Sequence, residues 1–416
     1  MLLLPAAFAV YASSFSAVPV IEARHSVLGD ADAANYVLLL REWSLARRYG
    51  DPYTASGRGI GDNAQKHKIH HVLYGMVGGA AHAALAPAFR AAGIPERRAV
   101  YAVNALLAVV NLVLLRALLR RSNPHGNAVF PFLLFYALAL STWVFSSVPE
   151  SWPFSATLVL GVLLLLRRAP ANAAVTGAAV GVAMLNNVFL GALWIPAAVA
   201  LARAGGGARR IARRAVLAGA VALATWAAAL TALSAADPML RPDRFVRYTL
   251  WFRQFTLPDL PRTDPYVWMS AGSNLFVNSV VSLQPDPAVP QEALKATLTG
   301  SPLGAAATAA WAALALAAAA GLVRALWRHP RAVLRDPALD AGAWCAAMLG
   351  VTVALFYASG FLYSTVVLPA MAVLLCRHLD LRSGWRRALL WGTLALMLAC
   401  NTLQVVQFRQ ALRALS

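Results

Sequence analysis

Val100–Leu119, VYAVNALLAVVNLVLLRALL, is followed at once by Arg120 and Arg121. It has the length of about 20 largely apolar residues that a helix needs to cross the hydrocarbon core of a bilayer. The arginines just beyond it mark an end held on the cytoplasmic side. Apolar runs of this kind recur from Leu2 to Val406, separated by connectors. The 416-residue chain is 60% hydrophobic and 13% charged, against about 25% charged in soluble domains. Only helices or closed barrels satisfy the backbone in hydrocarbon, and alternating ten-residue strands are missing from the sequence. The expectation is an all-α polytopic membrane protein, a bundle of about ten to twelve transmembrane helices.

The formal charge of +19 would suit a nucleic-acid binder, but its placement excludes that reading. Arginines gather in short connectors: Arg116, Arg120 and Arg121; Arg167 and Arg168; Arg203 to Arg214; Arg324 to Arg335; and Arg377 to Arg387. These read as cytoplasmic loops. The connector 236–302 instead balances Arg241, Arg244, Arg247, Arg253, Arg262 and Lys295 against Asp237, Asp243, Asp259, Asp264, Asp286 and Glu292, which places it outside. Cys345, Cys376 and Cys400 lie in or beside apolar runs and read as packing residues, not a disulfide framework. The first apolar run lacks a basic leader and reads as an uncleaved span.

Three regions follow from this map. Residues 1–235 form an N-terminal transmembrane module with an external first loop at 21–70, residues 236–302 an extracytoplasmic loop, and residues 303–416 the C-terminal transmembrane helices. The first loop is expected to carry interfacial helices, one of them around Tyr36 to Tyr49. His71–Phe89, which contains Gly75, Gly78, Gly79 and Pro87, is a poor span on composition. Ala128–Phe145 returns outward to SSVPESWP, and Phe154–Leu166 goes back in.

On this map Asp30, Asp32, Glu150, Asn186, Asn187, the 236–302 connector and Tyr363 share one membrane face. A carboxylate close to a bilayer is a candidate general base, although most loop acids are merely solvated. Asp30 and Asp32 stand two residues apart in EARHSVLGDADAANY, Glu22–Tyr36, so they do not share a helix face. Asp30 is the preferred base, with Asp32 the alternate. KHKIHHVLYG brings Lys66, Lys68, His67, His70, His71 and Tyr74 together. A basic pocket for a phosphate explains its lysines, while a solvated entry to a helix explains them as well. Glu150 lies between two short helices at a span boundary, where a carboxylate is either functional or part of an ordinary helix start.

GDADAANY after the first span, KHKIHHVLYG, SSVPESWPFSATL and the late FLYSTVVLP together resemble the GT-C superfamily of bacterial membrane glycosyltransferases, in particular the ArnT and protein-mannosyltransferase-like group. The resemblance implies a sugar donor carried on polyprenyl phosphate and transfer on the extracytoplasmic face of the inner membrane, to a lipid, glycan or protein acceptor. It also implies a catalytic aspartate in the first loop, by position Asp30. Asp32 and Glu150 complete the candidate catalytic set, and Tyr36, Lys66, Lys68, His70, His71, Tyr74, Asn187 and Tyr363 the substrate-binding set. The double proline that the family carries near the second segment is missing after His70 and His71. A divalent cation, Mg or Mn, stays open. So does a different class, a flippase or other secondary transporter for lipid-linked sugars, which would favour internal repeats and interrupted spans.

Overall fold

The computed structural model describes residues 3–14, 33–50, 60–123, 128–168, 172–246, 263–281, 302–355 and 360–414. Asp30, Asp32 and most of the aromatic stretch between Phe245 and Tyr266 fall outside them. Among the described residues every regular element is helical. In chain order these are α1 (Leu3–Ser14), α2 (Ala33–Arg41), α3 (Ile60–His70), α4 (Val72–Ala91), α5 (Arg97–Ser122), α6 (Phe130–Leu138), α7 (Leu140–Ser147), α8 (Trp152–Arg168) and α9 (Ala173–Asn186). They continue with α10 (Trp194–Arg203), α11 (Ala208–Leu233), α12 (Pro265–Ser273), α13 (Pro302–Arg328), α14 (Pro330–Leu334), α15 (Ala338–Leu355), α16 (Gly360–His378) and α17 (Gly384–Ala414).

Among the described residues five helices, α4, α5, α11, α13 and the first part of α17, are long and apolar enough to cross a membrane, and α6 with α7, bent by 63°, is apolar and long enough only as a pair. Five shorter apolar helices pack among them. The chain is a multi-pass membrane protein, with many of its apolar segments short or broken.

α4 shows why composition undersold one span. Its glycines form a face for close packing: a side chain at Gly75 or Gly79 would run into the ring of Trp43, and one at Gly78 into Leu40. The same contact corrects the first-loop helix expected to reach Tyr49. α2 ends at Arg41, and the chain turns so that Trp43 can seat on α4. A second such seam joins α9 to α11, where side chains at Gly177 or Gly181 would meet the carbonyls of Ala218 and Ala222. This is the small-residue spacing by which membrane helices approach backbone to backbone.

The bend between α6 and α7 is buried, with Ala139 fully covered, and unpaired backbone groups are costly there. They are paired. Ser141 N–H donates to Ser279 O at 3.0 Å, and Asn401 Nδ2 on α17 donates to Leu138 O at 2.7 Å and Val280 O at 2.9 Å. Part of the 236–302 connector packs into the bundle instead of standing clear of it. Its π-helical turn Asn274–Asn278 and the residues to Val281 enter the bundle, where Leu275, Val280 and Val281 are fully buried.

The bundle has two polar ends. At one, α8, α10 and α16 finish on Arg167, Arg203 and Arg377, which meet Asp336 and Asp340. At the other, α8 and α16 begin near Glu150 and Tyr363. α8 alone separates the two by about 25 Å at 1.5 Å per residue.

Candidate functional site

The second end is built around α2, α3, the start of α4 and the 148–151 turn. α3 and α4 run on almost as one helix: His71 N–H donates to His67 O and Gly75 N–H to His71 O. His71 itself is kinked out of helical geometry. That junction stacks an aromatic wall. Tyr36 of α2 lies 4.7 Å from His67 and 5.3 Å from Tyr74 between ring centres. His71 faces Trp152 at 6.3 Å, and Trp152 faces Tyr363 at 4.8 Å.

Glu150 sits in this wall, only 3% exposed. Its segment is fixed from three helices. Asn104 of α5 donates to the carbonyls of Phe145, Val148 and Glu150 at 3.1, 2.6 and 2.7 Å. Tyr74 donates to Asn104 Oδ1 at 2.6 Å, and Tyr36 donates to Ser151 Oγ at 3.2 Å. Farther along α5, Asn111 donates to Pro153 O and accepts from Thr157. These bonds fix the backbone that carries the Glu150 side chain.

Asn186 completes the wall. Its side chain accepts from Tyr74 N–H at 3.0 Å and donates to Ser155 at 2.9 Å, and its carbonyl lies 2.6 Å from His71 Nδ1. A carbonyl only accepts, so Nδ1 carries the proton. Burial, and after it the neighbouring His67, pushes both His70 and His71 below the usual imidazole range. The rings are neutral near pH 7, which leaves His71 Nε2 as an acceptor.

The lysines divide. Lys68 is fully buried and its ammonium group spends all three donors, at 2.7 Å each, on Leu45 O, Arg47 O and Asp237 Oδ2. It clamps the segment after α2 and the start of the 236–302 connector onto α3. Gln65 joins the clamp, accepting from Tyr49 N–H and donating to Asp237. Lys66 is half-buried on the same helix. Phe245 packs edge-on to His70 at 6.0 Å and to Trp226 at 5.3 Å, while Tyr266 and Trp268 stand exposed.

The structure thus brings Glu150, Tyr36, Tyr74, His71 and Tyr363 together, with His70 at the edge. Asn187 does something local: its side chain accepts from Phe189 N–H and caps the 3-10 turn Val188–Leu193. Asp30 and Asp32 precede α2 in sequence, outside the described residues. Among the described residues no three His, Cys, Asp or Glu side chains gather to hold a metal ion. Sequence reasoning missed Asn104, Asn111 and Asp237. For the asparagines the signal was present, as polar amides inside an apolar run.

No family model matches the sequence, and no curated protein matches it. Among solved structures the fold is similar to that of ArnT from Cupriavidus metallidurans, whose crystal structure has undecaprenyl phosphate bound. The TM-score is 0.52 at 20% sequence identity, over 94% of this chain and 61% of that one. The chain spans about three fifths of that protein's length. At that identity the likeness establishes the fold, an all-α GT-C-like arrangement.

Proposed function

We propose that the chain is a glycosyltransferase which moves a sugar, hexosyl or pentosyl, from a polyprenyl-phosphate donor to a lipid, glycan or protein acceptor on the extracytoplasmic face of a bacterial inner membrane. The observation that carries the reading is Glu150, buried and oriented by Asn104 in a wall of aromatic rings at the end of the bundle opposite the arginines. Support comes from the fold shared with ArnT and from the lipid phosphate bound in that structure. Asp30 and Asp32 stand immediately before α2, whose Tyr36 donates to the residue next to Glu150.

In this mechanism Asp30 takes the proton from the acceptor hydroxyl as its oxygen bonds to the anomeric carbon. The bond from that carbon to the phosphate oxygen breaks, and its electron pair leaves with polyprenyl phosphate. One displacement inverts the anomeric centre. Lys66 offers a cation for the growing phosphate charge. Lys68 positions the helix that carries it, and Glu150 and the acceptor nitrogen of His71 orient hydroxyl groups. Asp32 is the alternate base, and Tyr36, Tyr74 and Tyr363 give the sugar stacking faces.

The bent α6–α7 span and the buried 274–281 segment favour one competing reading, a transporter, since such proteins use broken helices. Those breaks are closed by backbone and by Asn401 instead of by ionisable groups, so they do not make an ion or substrate path. The test is a reconstituted assay with labelled lipid-linked sugar, scored for free carrier phosphate and for a new glycoside. Asp30→Asn should abolish both while Asp32→Asn costs less. Translocation of the donor with its sugar-phosphate bond intact under every acceptor condition would defeat the proposal.

A further inference from the structure

Two cavities meet at the arginine end, away from Glu150. One, of about 430 Å³, lies between the end of α13, α14 and the loop entering α17. Its lining includes Arg324, Arg328, Arg377 and Arg386 against Asp336 and Asp380. Asp336 is already bound by Arg377. Arg324, Arg328 and Arg386 make no hydrogen bond or ion pair among the described residues, and Arg386 Nε is buried without a partner. A buried guanidinium nitrogen with nothing to donate to is costly, and the cavity it borders is the place where an acceptor would fit.

The other cavity, of about 310 Å³, is almost wholly apolar. Trp311, Ala315, Ala319 and Leu322 line it from one side of α13, and Met371 and Leu375 from α16. His378 borders both cavities. They are held in register by a close approach of α13 to the end of α16, where a side chain on Gly321 would strike the His378 carbonyl. Each is of the size that holds small ligands.

Arginines at a membrane boundary are ordinarily solvated, but here three of them border a formed cavity that shares His378 with an apolar one. The geometry points to a binding site for an anionic phospholipid: its phosphate lies between Arg324, Arg328 and Arg386, and one acyl chain runs along α13 into the apolar cavity. Guanidinium groups bind phosphate through paired charge-assisted hydrogen bonds, and the apolar limb selects a lipid over a free anion. The site is independent of the reaction proposed above, since it uses none of the residues given a part in it.

Native mass spectrometry of the purified full chain tests it, counting retained dioleoylphosphatidylglycerol against dioleoylphosphatidylcholine. Phosphatidylglycerol should be retained in preference. The Arg328→Gln, Arg386→Gln double variant should bind it at least about tenfold more weakly, since it removes charge-assisted hydrogen bonds to the phosphate. Ala319→Trp, which fills the apolar limb and leaves every arginine in place, should weaken it as well. A thermal melt of each variant without added lipid checks that it folds. Equal retention of both lipids, or of phosphatidylglycerol by parent and double variant, overturns the site. Inorganic phosphate raising the melting temperature as much as phosphatidylglycerol, with no effect of Ala319→Trp, overturns the lipid assignment.

Discussion

α8 begins in one kind of chemistry and ends in another. At its start, Glu150 and Ser151 are held by neutral groups, with Asn104, Tyr74, Tyr36 and Asn186 trading hydrogen bonds among themselves and with backbone carbonyls. At its end, Arg167 lies beside charged pairs: Arg203 grips Asp340 through two bonds of 2.6 and 2.9 Å, and Arg377 binds Asp336. Neutral networks fix the direction of the backbone that carries Glu150. Charged pairs consume their own charges. On the function proposed above the first end acts on substrate, while the pairs at the second fasten α10 and α16 to the start of α15.

The largest expected effect separates these roles. Glu150→Gln keeps the shape and the backbone bond to Asn104, so its melting temperature should stay near the parent's while turnover falls by about 10–100-fold, the worth of a charged acceptor that orients a hydroxyl group. Asp340→Asn should do the reverse, destabilising the fold while turnover per folded molecule is kept. Turnover assays paired with thermal melts in detergent read both. If Glu150→Gln melts early with unchanged specific turnover, the carboxylate is a fastener and the contrast between the ends fails.

Lys68 tests whether a charge-based fastener can serve the candidate site. Its ammonium group and Asp237 are both buried, and removing one partner of such a pair strands the other. Lys68→Met should therefore cost about 3–5 kcal/mol, measured by thermal or denaturant unfolding. A variant that is fully stable yet weak in donor binding would return Lys68 to direct contact with phosphate.

How much of this could be read from the chain depends on the kind of signal. Helical class, multi-pass character and the arginine connectors were legible because hydropathy and charge are additive along a sequence. Glu150 and Tyr363 were legible because they sit where apolar runs stop. Lys68 was misleading, since a lysine in a basic stretch looks available until its partner is known, and Asp237 is far away in sequence. Gly75 and Gly79 lowered the apparent quality of a span whose packing they make possible. The bend at Ala139 is a property of three segments meeting, which no single stretch announces. Asn104 and Asn111 lay in the very run that decided the fold, where averaging over the apolar window hides them.

Asn104→Leu therefore sharpens the comparison at a smaller scale. It strands the Tyr74 hydroxyl and carbonyls of the α7–α8 turn, so a loss of about 1–3 kcal/mol is expected from the unpaired groups. Turnover should fall together with stability, because Glu150 loses its anchor. Asn104→Gln should recover neither, as the longer side chain cannot keep the three carbonyl distances. A leucine variant with parental turnover would show that Glu150 is held from elsewhere.

The smallest effect is a pH dependence carried by His70 and His71. Burial, followed by His67, holds His70 and His71 below the ordinary imidazole value in the folded chain, while an unfolded histidine titrates near about 6.5. Above that value neither state binds the proton, and stability does not change through these groups. As pH falls below it, the unfolded chain gains protons that the folded chain refuses, so stability drops with a slope set by that difference. For buried His71, stability should therefore fall as pH drops from neutral toward about 5.5. His70→Asn with His71→Asn removes both titrating rings and should flatten the slope between about pH 5 and 6.5. Melting curves across the window decide the point. A slope that survives the double substitution places the sensitive group elsewhere and removes the neutral histidines from the account of the candidate site.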